Sequence, residues 1–210
     1  MPAKLYGDRR PHDVRRWQNV GSPPPAGGIG PPCGRCGIST WVEIGGGGDP
    51  AANHPNLDIR KIAGVDIVWN LESGTLPWHD QHATRIRCVH TIEHLSHAAG
   101  QSMLREAHRV LHPGGQLYLM VCDTAFILER LREEGLVWWW LTSLYHEEFP
   151  TEGGFHKWAY DWPTIKTELE DAGFIDVREA GRYNQWDLGL YAIKPATAGH
   201  RASAPGPATA

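Results

Sequence analysis

The chain has 210 residues, 41% hydrophobic and 21% charged, with a net charge of −4. That composition fits one domain with tails and excludes a mostly disordered chain, a disulfide-stapled miniprotein and an overall basic nucleic-acid binder. No apolar run reaches the roughly 18 residues of a membrane-spanning helix, since the longest candidate, residues 136–145, contains Thr142 and Ser143. No membrane partner is expected. The first residues carry Lys4, Asp8, Arg9 and Arg10 and no apolar leader, so the expected compartment is cytoplasmic.

Residues 1–39 read as a Pro/Gly-rich, disordered basic arm. Between Gly21 and Gly37, Pro and Gly supply 11 of 17 residues, too few side chains for a packed core. The arm carries +4 and the remainder −8. Cys33 and Cys36 form a lone CxxC in this loop. Half of a zinc site needs a second pair of ligands, and the sequence offers no second CxxC, so no metal is expected. Cys88 and Cys122 lie in apolar runs and read as core thiols.

Residues 40–194 read as the domain and 195–210 as a loose tail. Residues 40–44 (TWVEI) predict a strand that stops at four glycines. Residues 56–58 predict the end of a second strand, 65–69 a third and 85–90 a fourth. A helix is predicted over 97–111, with Met103, Leu104, Ala107, Val110 and Leu111 on one face. His112, Pro113, Gly114 and Gly115 end it. Residues 116–122 are the most strand-like run in the chain, and 124–134 read as a helix. Asp161 caps a predicted helix over 162–172, with Gly173 just past its end. Residues 175–179 and 188–193 predict the last strands. Alternating strands and helices imply an α/β sheet with helices on both faces, whose ligands bind beyond the carboxyl ends of the strands.

The first of those ends carries chemistry. Glu43 ends a strand and is followed by Gly45, Gly46 and Gly47, which let a ligand lie close against the backbone. Thirteen residues after Gly45 comes Asp58, a carboxylate placed to accept both hydroxyls of a ribose. Many nucleotide sites share glycines followed by an acid. The order of pieces is more specific: WVEIGGGG, NLDI, DIVWNLESGTLPW, HTIEHL and EAHRVLHPGGQLYLMV.

Over residues 41–123 this order resembles the class I S-adenosylmethionine-dependent methyltransferases, in particular the type 11 methyltransferase group. The resemblance extends weakly to FHKWAYDWPTIKTELEDAGFIDV. It implies a Rossmann-like class I methyltransferase fold, a mostly parallel sheet with helices on both faces and an antiparallel last strand. It implies S-adenosyl-L-methionine as cofactor. Glu43, Gly45, Gly46 and Gly47 would then form the loop around the methionine part, and Asp58 would bind the ribose. Asn70 and Leu71 would flank the adenine, with the Leu71 amide as donor to the ring. His90 would line the methionine part, and His94 would sit near the methyl group.

Three departures from the family pattern stand out. Asp49 replaces the usual third glycine of the loop. Only seven residues separate Gly48 from Asn56, so the first helix is very short or absent. Asn70 stands where an acid is common, though its amide oxygen can still accept from the adenine amino group.

Methyl transfer to a small-molecule oxygen or nitrogen requires alignment of the acceptor and removal of its proton. A histidine suits that role at neutral pH. The candidates are His90, His94, His146 and His156, with His94 as the catalytic choice. Trp138, Trp139, Trp140, Tyr145, Phe149, Trp158, Tyr160 and Trp162 form an aromatic segment that reads equally as acceptor wall or lid, core, or homodimer face. Three other readings compete. A catalytically inactive cofactor-binding subunit would keep the fold. A nicotinamide oxidoreductase would share the glycine loop but not explain EHL and RVLHPGG. His90, Glu93 and His94 also fit the H-x-x-E-H pattern of a zinc protease, which requires both histidines on one helix face. No DPPY-like or Pro-Cys signature appears, so nucleic acid is not expected as the acceptor.

Overall fold

The computed structural model describes residues 30–49, 52, 55–145, 154–182 and 184–196. Most of the arm, His146, Phe149 and the tail from 197 onward lie outside the described residues. The strands are β1 (Trp41–Ile44), β2 (Asn56–Asp58), β3 (Ile67–Val68), β4 (Ala83–Val89), β5 (Leu111–Cys122), β6 (Ile175–Gly181) and β7 (Asp187–Ile193). They form one seven-stranded sheet in the order β3-β2-β1-β4-β5-β7-β6. The pairs from β3 through β5 are parallel, and β7 runs antiparallel to both β5 and β6. This is the Rossmann-like architecture that the resemblance implies.

Two helices pack on the apolar face of the sheet. The first, α1 (His97–Val110), starts where the Ser96 hydroxyl accepts from the Ala99 amide at 3.4 Å, and it buries Met103, Leu104, Ala107 and Val110. α2 (Thr124–Glu134) and α3 (Trp138–Tyr145) follow β5. α4 (Trp162–Asp171) opens on Asp161, whose Oδ1 accepts from the Thr164 amide at 3.0 Å, and it buries Ile165 and Leu169. The buried faces of α1 and α4 join Val42, Ile44, Ile86, Leu117, Leu119 and Leu190 in the main core. Burial of such side chains contributes about 1.5–3 kcal/mol each.

The sequence anticipated these elements, with two differences. Leu111 already pairs with Ala83, so β5 begins at once after α1; residues 112–115 bulge out before pairing resumes at Gln116. The positive φ of Gly114, 78°, lets the chain make that excursion. The helix α3 was not anticipated. Its run of tryptophans has weak intrinsic helix preference, and its folding rests on packing: Trp140 is buried, its ring edge-on to Phe126 of α2 and to Trp186.

Among the described residues no helix lies between β1 and β2, in keeping with the short spacer there. The last ten residues of the arm, 30–39, are largely exposed but carry defined backbone contacts. Pro32 bridges to Ser39, the Cys33 amide donates to the Ile38 carbonyl at 2.7 Å, and Cys33 is buried. Among the described residues no helix is long and apolar enough to cross a membrane.

Candidate functional site

Because β1, β2, β4 and β5 run in parallel, their carboxyl ends gather the glycine loop, Asp58, His90 and Cys122 along one edge of the sheet. β7 begins at that edge, with Asp187 opposite Cys122.

The glycine loop is tightly seated. Gly45 has φ 73°, and a Cβ there would come within 2.0 Å of Thr91 Oγ1. A Cβ on Gly46 would strike Glu43 and Asn56. The loop amides have acceptors within the protein: Gly45 donates to the Leu57 carbonyl, Gly46 to Asn56 Oδ1 at 3.2 Å and Gly47 to Asp58 Oδ2 at 3.0 Å. Asn56, which is fully buried, returns two bonds, donating to the carbonyls of Gly47 and Gly64.

Asp58 is buried and bound at both oxygens. Besides the Gly47 amide, Arg60 donates to Oδ1 from Nε at 2.9 Å and to Oδ2 from Nη2 at 3.1 Å. Burial pushes the Asp58 carboxyl up, but the bonds from Arg60 outweigh it and hold it below the ordinary value. It is therefore ionised at neutral pH and positioned as an acceptor. Arg60 is half-exposed, and its fork covers both oxygens of the Asp58 carboxylate.

Glu43 has a charged partner of its own. It is fully buried, and Arg87 on the neighbouring strand donates to its Oε1 at 2.7 Å. Asn70 caps a 3-10 turn, Leu71–Ser73, its Oδ1 accepting from the Glu72 amide at 3.0 Å. Its side-chain oxygen thus already has a backbone partner. Glu72 then ties this turn to the start of α1 and to Lys157 through bonds from Ser96 and Lys157 Nζ.

His90 stands at the end of β4 with φ 47°, a backbone conformation rare outside glycine. Its Nδ1 is 3.1 Å from Glu93 Oε1, and its Nε2 is 3.3 Å from Asp187 Oδ1. Both ring nitrogens lie beside carboxylates, which favours the doubly protonated ring. Burial disfavours that charge, but hydrogen bonds to Asp187, Cys122 and Glu93 outweigh it and raise His90 well above the ordinary histidine value. A charged imidazolium is no general base. The raised value also sets a pH dependence. Its stabilisation is complete below the unfolded value of about 6.5 and is lost as pH rises through the higher folded value. The gap in urea midpoint between wild type and His90→Gln is therefore expected to be widest near pH 6 and to shrink as the solution is made alkaline. A gap that stays constant with pH would show that folding leaves the His90 titration unshifted, and one that widens as pH rises would show that the fold holds it neutral.

His94 lies in a 3-10 turn, Ile92–His94, so His90 and His94 share no helix face and the protease geometry is not met. His94 Nδ1 donates to the Phe155 carbonyl at 3.2 Å, and His156 Nδ1 to the Leu144 carbonyl at 3.2 Å. A carbonyl only accepts, so in a neutral ring each lone pair lies on Nε2. The two rings meet edge-on, 4.7 Å apart. His156, Glu93, Cys122, Thr124, Ser143 and Tyr160 line a narrow cleft of about 10 Å³, room for roughly one water.

The aromatic segment divides. Trp140 and Tyr160 are core, Trp158 stacks on His97 at 4.0 Å, and Trp138 and Tyr145 are exposed. Asn56, Arg60, Thr91 and Asp187 escaped the sequence reading, and Glu93 entered it only through the protease pattern. Asn56 stood two residues before Asp58, but nothing local marks an asparagine as a loop clamp, and Asp187 reaches the site only through the pairing of β7 with β5.

Residues 44–119 match the model of a methyltransferase domain family. No curated protein matches the chain. Among solved structures, the chain is similar to a SAM-dependent methyltransferase from Thermotoga maritima at 20% identity and TM-score 0.54, covering 73% of this chain and 81% of that one. A protein from Pyrococcus horikoshii is similar at 12% identity and TM-score 0.53, with the same coverage of 73% and 81%. The YcgJ protein of Bacillus subtilis is similar at 12% identity and TM-score 0.51, covering 80% and 94%. At such identities the likeness is one of fold. The strand order, the glycine loop and the family match thus coincide on residues 44–119, where the chain is similar to a methyltransferase domain built on the Rossmann-like fold.

Proposed function

We propose that the protein binds S-adenosyl-L-methionine at the edge formed by Gly45–Gly47 and Asp58 and methylates an oxygen or nitrogen of a small molecule. The observation that carries this reading is the buried, ionised Asp58 carboxylate, held beside the glycine loop by the Gly47 amide. The residues fit a ribose there, since Arg60 can leave to solvent and expose two aligned acceptor oxygens. Leu71 is the apolar residue placed for the adenine, and Glu43 supports the loop from beneath through Arg87.

The cofactor's sulfonium supplies an already activated methyl group. The work left to the chain is to orient the acceptor and hold its proton. His94 and His156 form the basic pair, with His156 lining the cleft and His94 packed against it. His90 holds Glu93 in place as an anion beside that cleft. Ser143 and Leu144 of α3 line the same cleft, so α3 borders the narrow space into which the acceptor's reacting atom would reach.

The test is turnover across a panel of small hydroxyl- and amine-bearing acceptors, with calorimetry of S-adenosylhomocysteine in parallel. His94→Ala and His156→Ala are each expected to lower kcat by about 10²-fold or more, the usual contribution of a general base. Unchanged kcat in both variants would remove the base role. Tight cofactor binding with no turnover would favour the second reading, an inactive cofactor-binding subunit. That reading draws on the Arg60 fork closed over Asp58.

A further inference from the structure

The CxxC of the arm has a second pair after all. Cys33 and Cys36 precede β1, and His79 and His82 lie in the loop that leads into β4. One ligand atom from each of the four lies within 4.8 Å of all the others. We propose that Cys33, Cys36, His79 and His82 form a tetrahedral zinc site that staples the segment before β1 to the loop before β4.

The separations match the chemistry. Cys33 Sγ is 3.5 Å from His79 Nε2, and Cys36 Sγ is 3.5 Å from His82 Nδ1. A tetrahedral ion with Zn–S of about 2.3 Å and Zn–N of about 2.0–2.1 Å sets sulfur and nitrogen about 3.5 Å apart. Two thiolates and two imidazoles at that spacing suit Zn²⁺ among common ions. On binding, each thiol releases its proton to solvent while both imidazoles stay neutral, so the ion's two charges are balanced by two thiolates.

The backbone is shaped for the cluster on both sides. Gly37, with φ 74°, follows the second cysteine, and its amide donates to the Cys33 carbonyl at 2.8 Å. That turn aims both thiols at one point. Between the two histidines Gln81 takes φ 54°, a left-handed conformation that a glutamine adopts only when its surroundings impose it. His79 Nδ1 donates to the Asp80 carbonyl at 2.8 Å, which leaves its lone pair on Nε2, facing Cys33. Such an outer bond is how ligating histidines are held in the metal-binding tautomer. His82 is fully buried and lies parallel to the Trp78 ring, 6.0 Å between centroids, with Nδ1 toward Cys36.

The site is structural by its position. It lies at the amino-terminal edge of the sheet, where β1 and β4 begin, whereas the methyl-transfer residues lie at the carboxyl edge. All four coordination positions are filled by the protein, which leaves none for a substrate. The inference is independent of the methyl-transfer reading.

The test is metal content of the full-length protein, purified under reducing conditions without chelator and desalted after incubation with zinc. About one zinc per chain is expected in wild type and in Cys122→Ser, and less than a tenth of that in Cys36→Ser and His79→Ala. The Cys122→Ser control separates this site from the His90, Glu93 and Cys122 cluster, whose ligand atoms also lie within 4.8 Å of one another. Removal of the ion is expected to lower Tm by about 10 °C or more. Should the variants fail to fold, cobalt(II) added to wild type supplies the answer, with intense tetrahedral bands and a thiolate charge-transfer band expected. Folded wild type that takes up no zinc and shows no such bands would overturn the proposal. So would zinc lost on Cys122→Ser but kept in His79→Ala, or a Cys33–Cys36 disulfide in the reduced, zinc-treated protein.

Discussion

Asp58→Ala is expected to weaken S-adenosylhomocysteine binding by about 100-fold or more. Two hydrogen bonds to a charged acceptor contribute about 1.5–3 kcal/mol each, and every 1.4 kcal/mol is a factor of ten. The side chain is buried and held by the Gly47 amide, and the Arg60 fork must leave before the ribose binds, which offsets part of that gain. The substitution also removes the acceptor of that amide, so Asp58→Asn serves as companion: it keeps an oxygen for Gly47 but loses the charge. Calorimetry on both variants, with circular dichroism as the check on folding, decides the matter. Wild-type affinity in a folded Asp58→Ala protein would move the cofactor elsewhere or dismiss it.

The second large effect concerns stability. Arg87→Met is expected to destabilise the fold by about 3–5 kcal/mol in urea denaturation, because breaking a buried pair strands the remaining charge. Glu43 is fully buried and Arg87 nearly so, with 2.7 Å between their charged atoms. The double variant Glu43→Gln, Arg87→Met is expected to recover much of the loss, since no charge is then left in the core. This experiment also defines Glu43. If it supports the loop from beneath, Glu43→Gln costs stability and leaves cofactor affinity within a few fold. If it touches the cofactor, affinity falls instead. A loss below about 1 kcal/mol in Arg87→Met would mean that the pair is not buried in solution.

Much of this molecule was legible in the sequence because the signals are local. A helix writes its apolar face at a 3.6-residue period, which placed α1 and α4. Ser96 and Asp161 cap by contacts three residues away, and Gly45 marks a backbone that only glycine tolerates. The glycine loop, Asp58 and the order of strands were readable for the same reason, and with them the likeness to a methyltransferase domain. What the tertiary structure alone decided is which distant residues meet. His90 gained its second carboxylate only when β7 brought Asp187 beside it, and Glu43 became a buried ion pair only when β4 set Arg87 in register. The CxxC had no partner in the sequence because its partners lie 46 residues on and are histidines. Through-space pairing leaves no period and no spacing rule in the chain. It is set by strand register and crossover connections, which only the folded sheet supplies.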